Sequence, residues 1–416
     1  MSAPDILAII MWTSLMGLAV LGGADFGAGV WEFVARGRTA DAQRAALIRA
    51  IGPIWEANEI WLIFAITGVW TGFPLVFYAV MTVLFVPLTL GLLGIVMRGA
   101  SFSFYTHIRL ATQFSSIWGR IFSAVSVITP YLFGTIAAAV VSGEIRVDAN
   151  DNAHANLITT WNTPFAIACG LFAVALCAVL AATYMTVEAN RQHDHQLTLI
   201  FRKRALIAGA ISALIGTAAA WLASFWATYF FNGLTTRALP LALAAVVVGV
   251  LTALMLLLGL YFLARMLVAG MVILIFGAWA VAQLPYLIVP DVTIARGAAP
   301  DGVVVAVIIA AIVTAVLVLP SLWYMMRLFK SKQGGQHEMT TEEFIHQIAG
   351  EEDERTAMAH AAALAGRREP GFIQTVERKA KPLVPGFVAL AAVVVASQLG
   401  RLLQAARRRS NRVGQG

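Results

Sequence analysis

The first three long apolar runs of this chain hold Asp25, Glu56, Glu59 and Arg98. In hydrocarbon an ionised side chain costs several kcal/mol, so such groups gather where protons or ions are handled, or where they pair. Asp25 lies in Gly22-Gly23-Ala24-Asp25-Phe26-Gly27-Ala28-Gly29. Gly23 and Gly27 form a GxxxG spacing, which lets a second helix approach closely and gives the carboxylate protein neighbours in place of lipid. The chemistry on offer is that of a proton-carrying or ion-pairing acid. The plainer alternative is a structural acid hydrogen-bonded to an adjacent helix.

Glu56 and Glu59 belong to Pro53-Ile54-Trp55-Glu56-Ala57-Asn58-Glu59-Ile60-Trp61. Their i,i+3 spacing places both on one helix face, with Trp55 and Asn58 beside them. Two acids so placed in a low-dielectric site repel when both are ionised, a condition that suits a proton relay. The alternative is a pair of interfacial acids at a helix start, favoured there by the helix dipole. Arg98, in Val96-Met97-Arg98-Gly99-Ala100, either pairs with one of these acids or snorkels to the nearby membrane surface. Glu32 falls at the very end of its apolar run, where water reaches it, and is left out of this group.

The elements that must position these groups are membrane helices. The chain is 60% hydrophobic and only 12% charged; soluble domains carry about 25% charged residues. Runs long enough to cross a bilayer occur at about Leu7–Val34, Ile51–Thr71, Leu75–Tyr105, Ile117–Val141, Thr163–Val187, Ala205–Phe231, Leu239–Phe262, Arg265–Val289 and Val303–Leu328. No period-2 alternation marks a barrel, so the expected fold is an all-α polytopic membrane protein of about nine transmembrane helices in bundles. Pro87, Pro130, Pro285 and Pro320 are expected to kink their helices. No fixed-period repeat is visible.

The net charge of +7 follows topology. Alternate loops carry fourteen Lys and Arg on one side, from Arg36 to Lys332, against three on the other, Arg146, Arg237 and Arg296. The positive-inside rule makes the first side cytoplasmic and puts the N-terminus outside. No basic stripe with interleaved aromatics suggests a nucleic acid partner. On this topology Asp25, Glu56, Glu59 and Arg98 fall at similar depth on three consecutive helices, nearer the cytoplasm. That geometry suits proton uptake from inside.

The chain divides into a nine-helix membrane domain, 1–329, a polar cytoplasmic tail, 330–382, and a short apolar, basic-flanked segment, 383–416. Leu383–Ser397 is short and is followed by five arginines, which favours an interfacial or re-entrant helix over a tenth span. Cys169 and Cys177 are eight residues apart in one apolar run, so no disulfide joins them. The first run reads as a span and not as a cleaved signal. The seven histidines all lie in loops, at span ends or in the tail, whereas a membrane haem takes its His ligands from within spans. No haem or metal is therefore expected on this chain, and His193-Asp194-His195 reads as a solvated loop. There is no nucleotide loop, HExxH or nucleophile motif.

The Gly-rich stretch around Asp25, the run Ile51-Gly52-Pro53-Ile54-Trp55-Glu56-Ala57-Asn58-Glu59-Ile60-Trp61-Leu62, Phe73-Pro74 and Arg98, in that order, resemble the cytochrome bd oxidase subunit II family. The resemblance covers about 5–330 and is carried by motifs over the first 105 residues, by hydropathy afterwards. It implies a haem-free subunit paired with a haem-bearing subunit I, which holds haems b and d or b alone, in the bacterial plasma membrane. The complex is an electrogenic quinol oxidase of the aerobic respiratory chain that reduces O2 to water. By the same resemblance Glu56, Asp25 and Arg98 match the family's acidic and basic positions, with chemical protons entering from the cytoplasm partly through this subunit. Some members hold a structural quinone here. The tail is longer than the family's pattern, and its last apolar run resembles a small single-span accessory subunit. The competing expectation is a proton-coupled secondary transporter, which also uses membrane acids; a purely structural scaffold leaves the acid cluster unexplained.

Overall fold

The computed structural model describes residues 1–51, 55–107 and 112–332; of the side chains within these stretches, 51, 55–57, 105–107, 112–116, 319, 322–323 and 325–332 are left out. The polar tail and the Leu383–Ser397 segment expected from sequence lie outside the described residues.

The first span, Ala3–Val34, starts where Asp5 accepts a 2.8 Å hydrogen bond from the Ser2 backbone N–H. It runs as α1 (Ala3–Gly17), a π-helical turn over Leu18–Gly22, and α2 (Gly23–Val34). A π turn adds one residue to the ladder and so rotates everything beyond it, Asp25 included. A short amphipathic helix, α3 (Ala40–Ile51), follows. The second span, α4 (Trp55–Gly72), bends by 114° at Phe73 into α5 (Pro74–Val83). Leu84 then leaves helical geometry, and α6 (Phe85–His107) begins. The expected single span Leu75–Tyr105 is therefore two helices. Pro87 lacks the N–H that would bond the Val83 carbonyl, which weakens the ladder where it breaks. Pro87 thus sits in a first turn and does not kink a helix interior.

The remaining spans are α7 (Thr112–Ser142), with Pro130 inside it, α8 (Pro164–Arg191) and α9 (His195–Trp226). A short α10 (Thr228–Thr235) leads to α11 (Leu239–Leu257) and α12 (Tyr261–Gln283). After a single turn, α13 (Ile294–Gly297), comes α14 (Asp301–Lys332), which contains Pro320. Thr163 and Asp194 cap α8 and α9 by accepting from Ala166 N and Leu197 N at 3.1 and 2.9 Å. Eight helices among the described residues are long and apolar enough to cross a membrane, or nine if the bent α4–α5 pair counts as one. The expectation of about nine spans holds in an all-α polytopic membrane protein.

One span ends well before hydropathy suggests. The α12 helix stops at Gln283 and not near Val289, because Pro285 cannot donate and disfavours helix in the residue before it. The apolar residues beyond it form β3 (Tyr286–Ile288), paired antiparallel with β4 (Val292–Thr293). A second small hairpin, β1 (Arg146–Val147) with β2 (Ala153–His154), lies after α7. Arg146 grips Asp291 through two hydrogen bonds of 2.7 and 3.1 Å, and Arg296 donates to the Asp148 carbonyl and to Asp151. The hairpins thus form one cap, and the buried cluster beneath it includes Leu7, Phe73, Ile145 and Val292.

Arg237 donates to the Ala282 carbonyl, so the three arginines of the poorer loop set share the hairpin end. At the opposite, arginine-rich end, Arg44 donates to the Ala35 carbonyl, Arg204 to Gln43 and Arg202 to the Leu257 carbonyl. The α8 helix is the core of the bundle: its best apolar window is 61% buried, against 11% for α14. Its alanines and glycine explain this, since small side chains allow α2, α7, α9 and α12 to pack around it.

Candidate functional site

The buried polar site forms where α2, α4, α6 and α7 meet against α8. The α2–α8 contact is set by glycine: a Cβ at Gly27 would overlap the Cys177 carbonyl, and Trp31 Nε1 donates to the Ala178 carbonyl at 2.8 Å. Gly23 faces the same helix, with a Cβ there 3.2 Å from Leu180 Cδ1. On another side of α2, a Cβ at Gly29 would overlap Ser126 of α7. With backbones this close, Asp25 is shielded from lipid and is only 4% exposed.

Asp25 Oδ2 accepts a hydrogen bond of 2.6 Å from Asn58 Nδ2. Glu59, the next residue of α4, pairs with Arg98 Nη1 at 3.4 Å. The Arg98 guanidinium interacts electrostatically with both carboxylates. It lies over the Phe26 ring at 4.7 Å and beside Phe122 at 5.6 Å. Arg98 is 2% exposed, so of the two arrangements open from sequence, pairing and snorkelling, the structure adopts pairing. Among the described residues its Nε and Nη2 have no hydrogen-bond partner, and the buried hydroxyls of Ser101, Ser126 and Thr129 have none either.

Glu59 differs in access. Its side chain keeps 27% of its exposure, whereas Asp25 and Asn58 are enclosed. The arrangement is a graded one: an accessible acid, a buried cation next to it, and a buried acid behind. Such a set can accept a proton at Glu59, keep the internal charge near balance through Arg98, and hold or release a proton at Asp25. Glu56 and Trp55 occupy the first turn of α4, and their side chains lie outside the described residues.

Glu32 is a correction. It is buried, 5% exposed, and engaged with other groups, where a solvated position at the span end was expected. It lies seven residues after Asp25, hence on the same face of α2, about 10 Å along the helix. That spacing was the available signal. Arg204 was also missed: it stacks over Trp31 at 5.1 Å and donates to buried Gln43 at 2.7 Å. Among the described residues no group of three or more His, Cys, Asp or Glu side chains could hold a metal ion. His193 and His195 are exposed, and Asp194 between them serves as the cap of α9.

Residues 3–329 match the family described as cytochrome bd terminal oxidase subunit II. The chain is 26% identical over 188 residues to cytochrome bd ubiquinol oxidase subunit 2 of Bacillus subtilis, covering 45% of this chain and 54% of that one. It is 26% identical over 243 residues to cytochrome bd-I ubiquinol oxidase subunit 2 of Escherichia coli K12, covering 56% and 60%. Each alignment thus spans little more than half of the relative's length. In fold it is similar to a chain of the bd oxidase from Geobacillus thermodenitrificans, with a TM-score of 0.62 at 21% identity, over 79% of this chain and 99% of that one.

Proposed function

The chain belongs to the cytochrome bd terminal oxidase subunit II family, and on that premise we propose that it is the haem-free subunit of a quinol:O2 oxidoreductase in the bacterial plasma membrane. In the reaction two quinols and one O2 give two quinones and two waters. Electrons pass through haems b and d, or b alone, held by the partner subunit I. What this chain supplies is a scaffold for that partner and part of the route by which protons reach the O2-reducing site. With the N-terminus outside, the arginine-rich end faces the cytoplasm and the hairpin cap faces out.

The observation that carries this reading is the buried Asp25–Asn58 contact beside the Glu59–Arg98 pair. A structural acid needs only one satisfied partner. Here two acids and a buried cation share one junction, and one acid is accessible while the other is not. Glu59 takes the proton at the open side. Arg98 lowers the energy of whichever carboxylate is ionised, so a proton can leave one acid while the other is charged. Asn58 holds Asp25 in place and can bond to it in either protonation state, since its amide offers both donor and acceptor. Asp25 stands about six turns from the N-terminal end of the first span and about nine residues from the arginine-rich end. Glu56, placed one turn before Glu59, extends the same face toward that end.

The test is quinol-driven O2 uptake by the purified complex carrying Asp25→Asn or Glu59→Gln. The proton-route reading expects turnover lost on the order of 10²-fold, with the haem spectrum of the complex and its subunit stoichiometry unchanged. Full turnover in both variants overturns it. The family relation offers no support to the transporter alternative. A single-span accessory subunit and a structural quinone have no residues assigned to them here.

A further inference from the structure

A second polar feature lies at the arginine-rich end, away from the buried acids. A cleft of about 670 Å³ opens where α8 ends and α12 begins, beside the turn Leu258–Leu260. Asn190 and Arg191 line it from α8; Tyr261, Phe262, Leu263 and Arg265 line it from α12. Neither arginine forms an ion pair with a carboxylate among the described residues. Arg265 lies over the Tyr184 ring at 4.6 Å, which fixes its guanidinium at the cleft. Glu188, the nearest acid on α8, bonds Gln192 at 2.9 Å and does not line the space. A third guanidinium, Arg202, donates to the Leu257 carbonyl at the adjoining end of α11.

The walls are of the opposite character. Leu260, Phe262 and Leu263 of the lining are 46–70% exposed, and the last two belong to a span whose outer face meets lipid. Two cations beside exposed apolar side chains match a ligand with an anionic head and hydrocarbon tails. A free phosphate has no use for the apolar side chains, and a neutral apolar ligand has none for two guanidiniums that form no ion pair among the described residues. We infer that this cleft binds an anionic phospholipid, its headgroup phosphate held by Arg191 and Arg265 and its acyl chains lying over Phe262 and Leu263. The volume suits a headgroup with its glycerol. The arginines stand on the side that the positive-inside count makes cytoplasmic, where basic residues near the surface attract anionic lipid. The proposal is independent of the oxidase reading.

The test is native mass spectrometry of the full-length chain, with its co-purifying partner, released from detergent after titration with phosphatidylglycerol or phosphatidylcholine of equal chain length. The expected result is a saturable single adduct with phosphatidylglycerol, weakened about fivefold per arginine removed in Arg191→Gln and Arg265→Gln, with phosphatidylcholine uptake unchanged. Arg191 is exposed, so its variant folds whatever becomes of Arg265; Arg265→Lys, which keeps the charge, should retain the adduct. Arg237→Gln, at the hairpin end, should leave it untouched. Equal uptake of the two lipids, or wild-type affinity in Arg191→Gln and the double variant, overturns the inference. Displacement of the lipid by inorganic phosphate in modest excess overturns it too, since the site would then be one for a free anion.

Discussion

Asn58 donates to Asp25 at 2.6 Å from the next span, and both side chains are almost wholly enclosed. Replacing Asn58 by Leu removes a side-chain hydrogen-bond donor from a buried carboxylate at nearly constant volume. An unsatisfied buried acceptor costs about 1–3 kcal/mol, more if charged. The complex carrying Asn58→Leu should therefore melt lower in detergent and lose turnover, whereas Asn58→Gln, which can re-form the bond with a longer reach, should recover part of both. Thermal unfolding and O2 uptake measured on the same preparations check this.

Arg98 neutralises charge from within the bundle. Removing one member of a buried pair leaves the other uncompensated and costs about 3–5 kcal/mol. Arg98→Leu should cut the yield of assembled complex sharply. Arg98→Lys keeps the charge but loses the flat stacking on Phe26, so it should assemble with a smaller loss. Equal yields for wild type and Arg98→Leu in membranes would count against the pairing account.

The glycines of α2 are not equivalent. At Gly27 the obstacle is the Cys177 backbone, which cannot swing aside, while at Gly23 it is the end of the Leu180 side chain. Gly27→Ala should separate α2 from α8 and destabilise by about 1–3 kcal/mol or more. Gly23→Ala should be tolerated with a smaller loss. The melting temperatures of the two variants, ranked against wild type, decide the point.

The hairpin cap should respond to acid. The Arg146 hydrogen bonds, first among several contacts, hold the Asp291 carboxyl below the usual carboxylate range, and Asn152 does the same for Asp148. A depressed folded pKa means stability that is present above the unfolded value, about 3.9, and lost as pH falls through the folded one. The cap should thus hold at neutral pH and loosen below about pH 4, with a small amplitude because these pairs lie close to solvent. Protection of the Val147 and Val289 amides against hydrogen exchange, taken relative to intrinsic exchange at each pH, should fall over that range in wild type. In Asp291→Asn that protection should be low at every pH.

Much of this protein is decided locally and was legible in the sequence. Apolar runs of spanning length identify membrane helices because hydrocarbon leaves a backbone no other partner. The few charges inside them mark the site because each is too costly to be incidental. Asp25, Glu59 and Arg98 were visible in this way, with Asn58 beside Glu59 in the same run. Three things were not. Glu32 looked solvated because it ends an apolar run, and only the packing of its neighbours buries it. The Leu84 break and the β3–β4 hairpin hide inside apolar sequence, since hydropathy does not distinguish a residue facing lipid from one enclosed by protein. The choice of partners, Asn58 for Asp25 and Glu59 for Arg98, depends on helix rotation and on how closely α2 and α8 approach. Those are set by contacts between residues more than a hundred positions apart, such as Gly27 with Cys177. Composition therefore determined the solvent and the cast of groups, and tertiary packing decided which of them meet.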